Sequence, residues 1–114
     1  MSRIYKILAG DAWRAALAKG AFEGAGVDLT DGFIHFSITG QLGETARRYF
    51  AGQPGLVVLE VEADDLGAEL RWEPSRGGDL FPHLYGTLPC NLVRAAHAAP
   101  LDAAGEPSVA GIGA

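Results

Sequence analysis

The spacing of apolar and polar residues changes several times along the chain, and each change predicts an element. In RIYKIL (3–8) the side chains of Tyr5 and Ile7 lie opposite Lys6, and the Ile and Leu content suits a pleated strand. DAWRAALAK (11–19) predicts a short helix with Asp11 as N-cap and Gly20 just past its end, and Trp13, Ala16 and Leu17 share one face. Residues 20–32 read as a Gly-rich connection with Asp28, Thr30, Asp31 and Gly32 as turn formers. FIHF (33–36) predicts a second strand. After it Thr39 is placed to cap a helix whose Leu42, Thr45, Ala46, Tyr49 and Phe50 follow one helical face, ended by Gly52 and Pro54. LVVLEVE (56–62), β-branched and continuous, has the character of a central strand. Asp64-Asp65-Leu66 reads as a turn or a single helical turn, and LRWE (70–73) and LVRAAHA (92–98) as further strands. Helices among the first strands and a run of strands afterwards predict an α+β fold with two main helices and a small mixed or antiparallel sheet.

Composition narrows this to one domain. The chain has 114 residues, and 19 Ala and 16 Gly leave few bulky or polar side chains, so those that remain are informative. Residues 1–99 are expected to form a single domain. The stretch 100–114, PLDAAGEPSVAGIGA, is expected to be a flexible C-terminal tail, because it lacks aromatics and has little apolar area to bury. A net charge of -5 with dispersed basic residues, Arg47-Arg48 being the one adjacent pair, argues against general nucleic-acid binding. The single cysteine, Cys90, allows no intrachain disulfide and no Cys-based metal site, and it reads as a small core filler. The three histidines lack metal-ligand spacing, so no metal is expected. The start MSRIYKILAGDAWR has neither the run of a signal peptide nor that of a membrane span, which points to a cytoplasmic protein with no membrane partner.

Strand alternation sorts the polar residues that stand among apolar ones. Phe33, His35 and Ser37 share a face, as do Phe81, His83 and Tyr85 if the segment around residue 83 is extended, while Arg71 and Glu73 oppose Leu70 and Trp72. His35 reads either as a hydrogen-bonding or acid-base residue in a cleft or as a core histidine satisfied by a carbonyl. His83 and Tyr85, in FPHLYG, read as pocket lining or as parts of a rigid turn. Arg71 and Glu73 read as a cleft pair, the guanidinium suited to phosphate or carboxylate, or as a surface ion pair. His97 is expected at an edge. No P-loop and no G-x-S-x-G elbow is present.

Four ordered segments, IYKI at 4–7, DGFIHFS at 31–37, LRWEP at 70–74 and LFPHLYG at 80–86, resemble the bacterial family called domain of unknown function 952. The resemblance runs from Arg3 to about Val93. That family is similar in proposed fold to ADP-ribosyltransferases, nearest the RNA 2′-phosphotransferase branch. The resemblance therefore implies a split sheet around a cleft for NAD, with one His on the first core strand and a second on a later one. In this chain the first of those positions holds Lys6 and the second His35. A lysine only donates and adds positive charge, whereas an oxocarbenium-like centre favours negative charge nearby. The resulting expectation is a polar cleft for NAD, ADP-ribose or another phosphorylated nucleotide-like small molecule. Lys6, Ser37, Arg71 and Tyr85 would bind the ligand there, and His35, Glu73 and His83 would carry any chemistry. Two alternatives stand beside it: a binding module without activity, favoured by Lys6, and an unrelated small metabolic enzyme using His35 and His83 as an acid-base pair.

Overall fold

In the computed structural model of the chain, which describes residues 2–113 (Arg76 by its backbone alone), strand β1 (Arg3–Ala9) leads into helix α1 (Gly10–Lys19). Next come the short strand β2 (Ala21–Phe22), a one-turn helix α2 (Val27–Asp31), strand β3 (Ile34–His35) and helix α3 (Thr39–Phe50). Strand β4 (Leu56–Glu62), a 3₁₀ segment (Ala63–Glu69), and strands β5 (Leu70–Pro74), β6 (Leu80–Leu84), β7 (Leu88–Pro89) and β8 (Val93–Ala99) complete the order. The protein is α+β, as the alternation predicts, and every strand pairing among the described residues is antiparallel.

The strands form two three-stranded sheets, ordered β1-β4-β8 and β3-β6-β5, and a two-stranded β2-β7 ribbon. β4 is central, as its unbroken apolar run predicts, with Val58, Leu59 and Val61 fully buried. The two larger sheets touch edge to edge through one bridge, where Tyr5 and Ser37 exchange N–H···O bonds of 2.8 Å each. Beyond that bridge they part, and the parting makes a cleft.

β1 is buried on both faces. Ile4 and Leu8 pack with Ala16 of α1, Phe22, Ile34, Phe36, Leu59 and Leu84, while Tyr5 and Ile7 pack with Leu42 and Ala46 of α3, Leu56, Val58 and Ala99. Small residues at the contact positions, Ala16 on one helix and Ala46 on the other, bring each helix close to the sheet.

Several boundaries differ from the sequence expectation for local reasons. Asp11 does not cap α1. The helix begins at Gly10, whose N–H donates to the Gly55 carbonyl at 2.8 Å, and Asp11 pairs with Arg14 on the surface. Thr39 is the first residue of α3 and not its cap; Oε1 of Gln41 accepts the Ile38 N–H at 3.1 Å instead. Gly20 does end α1, in the left-handed region at φ 94°, a conformation other residues adopt at a cost. The second strand is shorter than FIHF, and the connection at 20–32 holds α2, which turn-forming composition hides. Phe22 lies in the core.

Residues 100–113 have an anchor that composition does not reveal. Asp102 Oδ1 accepts the N–H groups of Ala104 and Glu106 at 2.9 and 3.0 Å, folding a turn closed by a Leu101–Pro107 bridge. Val109 then enters the core beside Ile7, Leu42 and Leu56, and the Gly52 N–H donates to Gly105.

Leu59 has no exposed surface, whereas Leu17 is 52% exposed. Leu59→Ala is therefore expected to cost about 2–5 kcal/mol of unfolding free energy, and Leu17→Ala no more than about 0.5. Urea melts of the two variants check this, and similar losses at both positions would contradict the packing described.

Candidate functional site

Lys6 shares a strand face with Ile4 and Leu8 and is 7% exposed, a place where an unpaired ammonium would be strongly unfavourable. Asp28, itself 3% exposed, answers it: Lys6 Nζ lies 2.9 Å from Oδ1 and 2.8 Å from Oδ2, with the Phe22 ring 6.0 Å away. Asp28 is the second residue of α2, and its position there has a local cause. Its Oδ2 accepts the Ala25 N–H at 3.1 Å while its own N–H donates back to the Ala25 carbonyl. Burial alone would raise the Asp28 pKa. The hydrogen bond from His35, the charge and hydrogen bond of Lys6, and the Ala25 N–H outweigh it and hold the carboxyl at about 2. Lys6 sits below the usual lysine range, because burial outweighs the attraction of Asp28.

The same carboxylate orients His35. Asp28 Oδ1 accepts the His35 backbone N–H at 3.0 Å and lies 2.6 Å from Nδ1 of its ring. Gly32, at φ 85°, ends α2 and turns the chain back so that this approach is possible. On the other side of the ring, Nε2 is 2.9 Å from Oδ2 of Asp31, the last residue of α2, whose side chain is 46% exposed.

His35 stands directly opposite His83 in the β3–β6 ladder, and His83 opposite Arg71 in the β6–β5 ladder, so the three side chains form one row. The two imidazole centroids are 5.5 Å apart at an interplanar angle of 67°. His83 Nδ1 lies 2.8 Å from Glu73 Oε1, and the Tyr85 hydroxyl donates to the same oxygen at 2.7 Å. Those hydrogen bonds lower the Glu73 pKa, and the contact with Glu73 raises that of Tyr85. Phe33 packs over the row, stacked 4.2 Å from the His83 ring, 4.5 Å from His35 and 5.1 Å from Tyr85. The Arg71 guanidinium lies 4.8 Å over the Tyr85 ring.

The cleft between the sheets has a volume of about 620 Å³. Lys6, His35, Ser37 and His83 line its polar part, and Val27, Tyr49 and Phe50 give it an apolar wall. Arg71 and Glu73 on β5, and Tyr85 just past the end of β6, continue the row without lining the cleft. Tyr85 spends its hydroxyl on Glu73, and Glu73 spends one oxygen on two donors, so both act on His83. Ser37 Oγ shares a 3.2 Å hydrogen bond with Thr45 Oγ1. His97, on edge strand β8, pairs with Glu60 and is remote from this cluster in the fold. Cys90 donates its thiol hydrogen to the Ala16 carbonyl, and burial raises its pKa. A second depression, of about 530 Å³, lies between α3 and the C-terminal segment and contains none of these residues. Among the described residues no group of three or more His, Cys, Asp or Glu is placed to hold a metal, and no helix is long and apolar enough to cross a membrane.

Sequence reasoning missed Asp28, Asp31 and Phe33 as members of the site. The available signal was the run DLTDGFIH, with carboxylates seven and four residues before His35. It reads as turn chemistry until α2 folds and turns both carboxylates onto one ring.

A family model described as "Protein of unknown function (DUF952)" matches residues 7–96. The chain belongs to this family. Its DUF952 domain is similar along nearly its whole length to CC0527 from Caulobacter crescentus. The crystal structure of that protein is 52% identical in sequence, covers 95% of each chain and superposes with a TM-score of 0.93. A crystal structure of its double mutant, at 50% identity and the same coverage, gives 0.92. Its solution NMR structure, at 52% identity and covering 96% of this chain and 94% of that one, gives 0.86. No curated protein matches the chain. In this DUF952 domain the row of His35, His83 and Arg71 therefore stands on a fold that crystallography and NMR also describe for its relative.

Two consequences of the Lys6–Asp28 pair are measurable. Asp28→Asn leaves a buried ammonium without its counter-charge and is expected to cost about 3–5 kcal/mol in urea melts near neutral pH. In the parent protein Asp28 binds its proton less readily when folded, at about 2 against an ordinary 3.8. Its contribution of about 2 kcal/mol is thus fully present above pH 4 and is lost as the pH falls from 4 toward 2. A stability profile flat across that window would contradict the pair.

Proposed function

We propose that the cleft binds a small polar ligand and that His35 and His83 work on it as an acid-base pair. The observation that carries this reading is the pair itself. Two imidazoles stand at opposed positions of neighbouring strands, each with Nδ1 against a carboxylate, and both line the cleft. An imidazole held at Nδ1 presents Nε2 to a reacting group. Two such rings 5.5 Å apart suit a transfer in which one accepts a proton from the attacking hydroxyl or water while the other donates to the departing group.

For the ligand, the reading is NAD, ADP-ribose or a related phosphorylated nucleotide. Support comes from the resemblance to ADP-ribosyltransferases, which implies a cleft between two small sheets, together with the single-bridge junction seen here. Lys6 is less of an obstacle to ribosyl transfer than its charge suggests. Asp28 neutralises it, and Asp31 adds a carboxylate beside His35, so a cationic sugar centre would meet negative charge. Phosphate contact by Lys6 would have to compete with Asp28, and Arg71 lies outside the cleft lining. The ligand's hydroxyls and ring therefore have more to contribute to binding than its phosphates. On this reading the protein works in the cytoplasm, a reducing compartment that its single cysteine suits.

A second reading, binding without turnover, is favoured by one observation: Asp31 already occupies Nε2 of His35. Isothermal titration with NAD, ADP-ribose and nucleoside phosphates tests the ligand, and product analysis of the same mixtures separates turnover from binding. The expected result is a binding isotherm with at least one of them, and a turnover about 10²–10⁴ lower in His35→Ala and in His83→Ala. No heat with any of them up to millimolar concentration would sink the nucleotide reading. Binding without product would leave the second reading standing.

A further inference from the structure

We infer that Asp28 is the positioning residue of the cleft: it holds the Nδ1 hydrogen of His35 and directs Nε2 at the cavity, with Lys6 as its buried counter-ion. The inference deepens the acid-base reading above and rests on it.

Three features set Asp28 apart from the other carboxylates near the two imidazoles. It is the one held from several directions: Oδ1 faces Lys6 Nζ, the His35 N–H and His35 Nδ1, while Oδ2 faces Lys6 Nζ and the Ala25 N–H. Its side chain is 1% exposed, against 33% for Glu73 and 46% for Asp31. It also binds both the backbone and the ring of His35, so one buried carboxylate fixes both the strand and the imidazole it carries.

A carboxylate only accepts, so the 2.6 Å contact requires the hydrogen to sit on Nδ1. In the neutral ring that leaves the lone pair on Nε2, facing Asp31 and the cleft. Asp31 can keep its contact with Nε2 only while the ring carries both hydrogens, and its exposed position makes it the partner that an entering ligand replaces. The lysine then has a physical role that does not involve the ligand. A bare carboxylate at this depth would favour its protonated form, which would donate to Nδ1 and move the ring hydrogen to Nε2, and Lys6 prevents that.

The tautomer is directly readable. Long-range proton–nitrogen correlation spectra of the full chain, labelled with ¹⁵N-histidine and recorded at alkaline pH, distinguish Nδ1–H from Nε2–H. His35 is expected as Nδ1–H. His97, whose Nε2 lies 3.1 Å from Glu60, is expected as Nε2–H and serves as internal contrast. A Lys6→Met, Asp28→Asn double variant removes both buried charges together. It is expected to fold, to show His35 largely as Nε2–H, and to bind ADP-ribose at least tenfold more weakly. Asp31→Asn is expected to leave the tautomer as it is. A neutral His35 carrying its hydrogen on Nε2 in the parent protein would overturn the inference, and that spectrum decides the matter even if the double variant does not fold. If no nucleotide gives heat while His35 is Nδ1–H, the ligand reading fails and the role of Asp28 stands. If ADP-ribose binds and His35 is Nε2–H, the ligand reading stands and the role of Asp28 fails.

Discussion

A lysine buried on a strand face shared with Ile4 and Leu8 has to find an anion, and the site is built around that requirement. Asp28 is brought to Lys6 from α2, the helix that leads into β3 of the other sheet, so the ion pair ties β1 to the approach of β3. Beside it, the Tyr5–Ser37 bridge joins the backbones of the two three-stranded sheets by hydrogen bonds. Where the sheets part, and hence where a cleft can exist, follows from these two contacts. Replacing the pair with apolar groups of similar volume is often tolerated by a fold, whereas removing one partner is not. The pair is therefore a positional device more than a reserve of stability.

The imidazole row depends on this anchor from one side and on packing from the other. Phe33 lies across His35, His83 and Tyr85 and keeps water from one face of the row, which strengthens the hydrogen bonds to Asp28 and Glu73. Charge is nearly balanced along it. Lys6 answers Asp28 and Arg71 stands near Glu73, which leaves Asp31 at the mouth as the carboxylate most accessible to solvent. A site so arranged suits a ligand whose recognition rests on hydroxyls and a ring and not on a cluster of cations, in keeping with a chain of net charge -5.

The many small residues have a structural role as well. Ala16 and Ala46 let two short helices lie close against β1, and Ala99 lets β8 close the other edge of its sheet without bulk. The C-terminal segment uses the same economy: an Asp102 turn directs it back, and Val109 fills the remaining space next to α3. Val109, with Ile112 partly buried against the same cluster, is enough there because the surface they meet is already apolar.

The two-residue strands β2 and β7 left no legible pattern, and the segment around His83 alternates only if it is extended. Local pattern by itself determined the other strands and both long helices, the central position of β4, the left-handed end of α1 at Gly20, and the alternation that puts His35 and Arg71 on defined faces. Those properties depend on residues within a turn or a pleat of one another, and such spacing is written in the chain. Family membership was legible too, from four short segments in order. The Lys6–Asp28 pair, the capture of both nitrogens of His35, the α2 turn and the anchoring of Val109 were decided only in the tertiary structure. The Lys6–Asp28 pair and the Val109 anchor join residues whose meeting depends on how the elements pack, while the two contacts to His35 wait on the folding of α2. Asp28 is read as a turn former while its partner lies twenty-two residues away, and it becomes the most constrained carboxylate of the site once β1 and β3 are brought side by side.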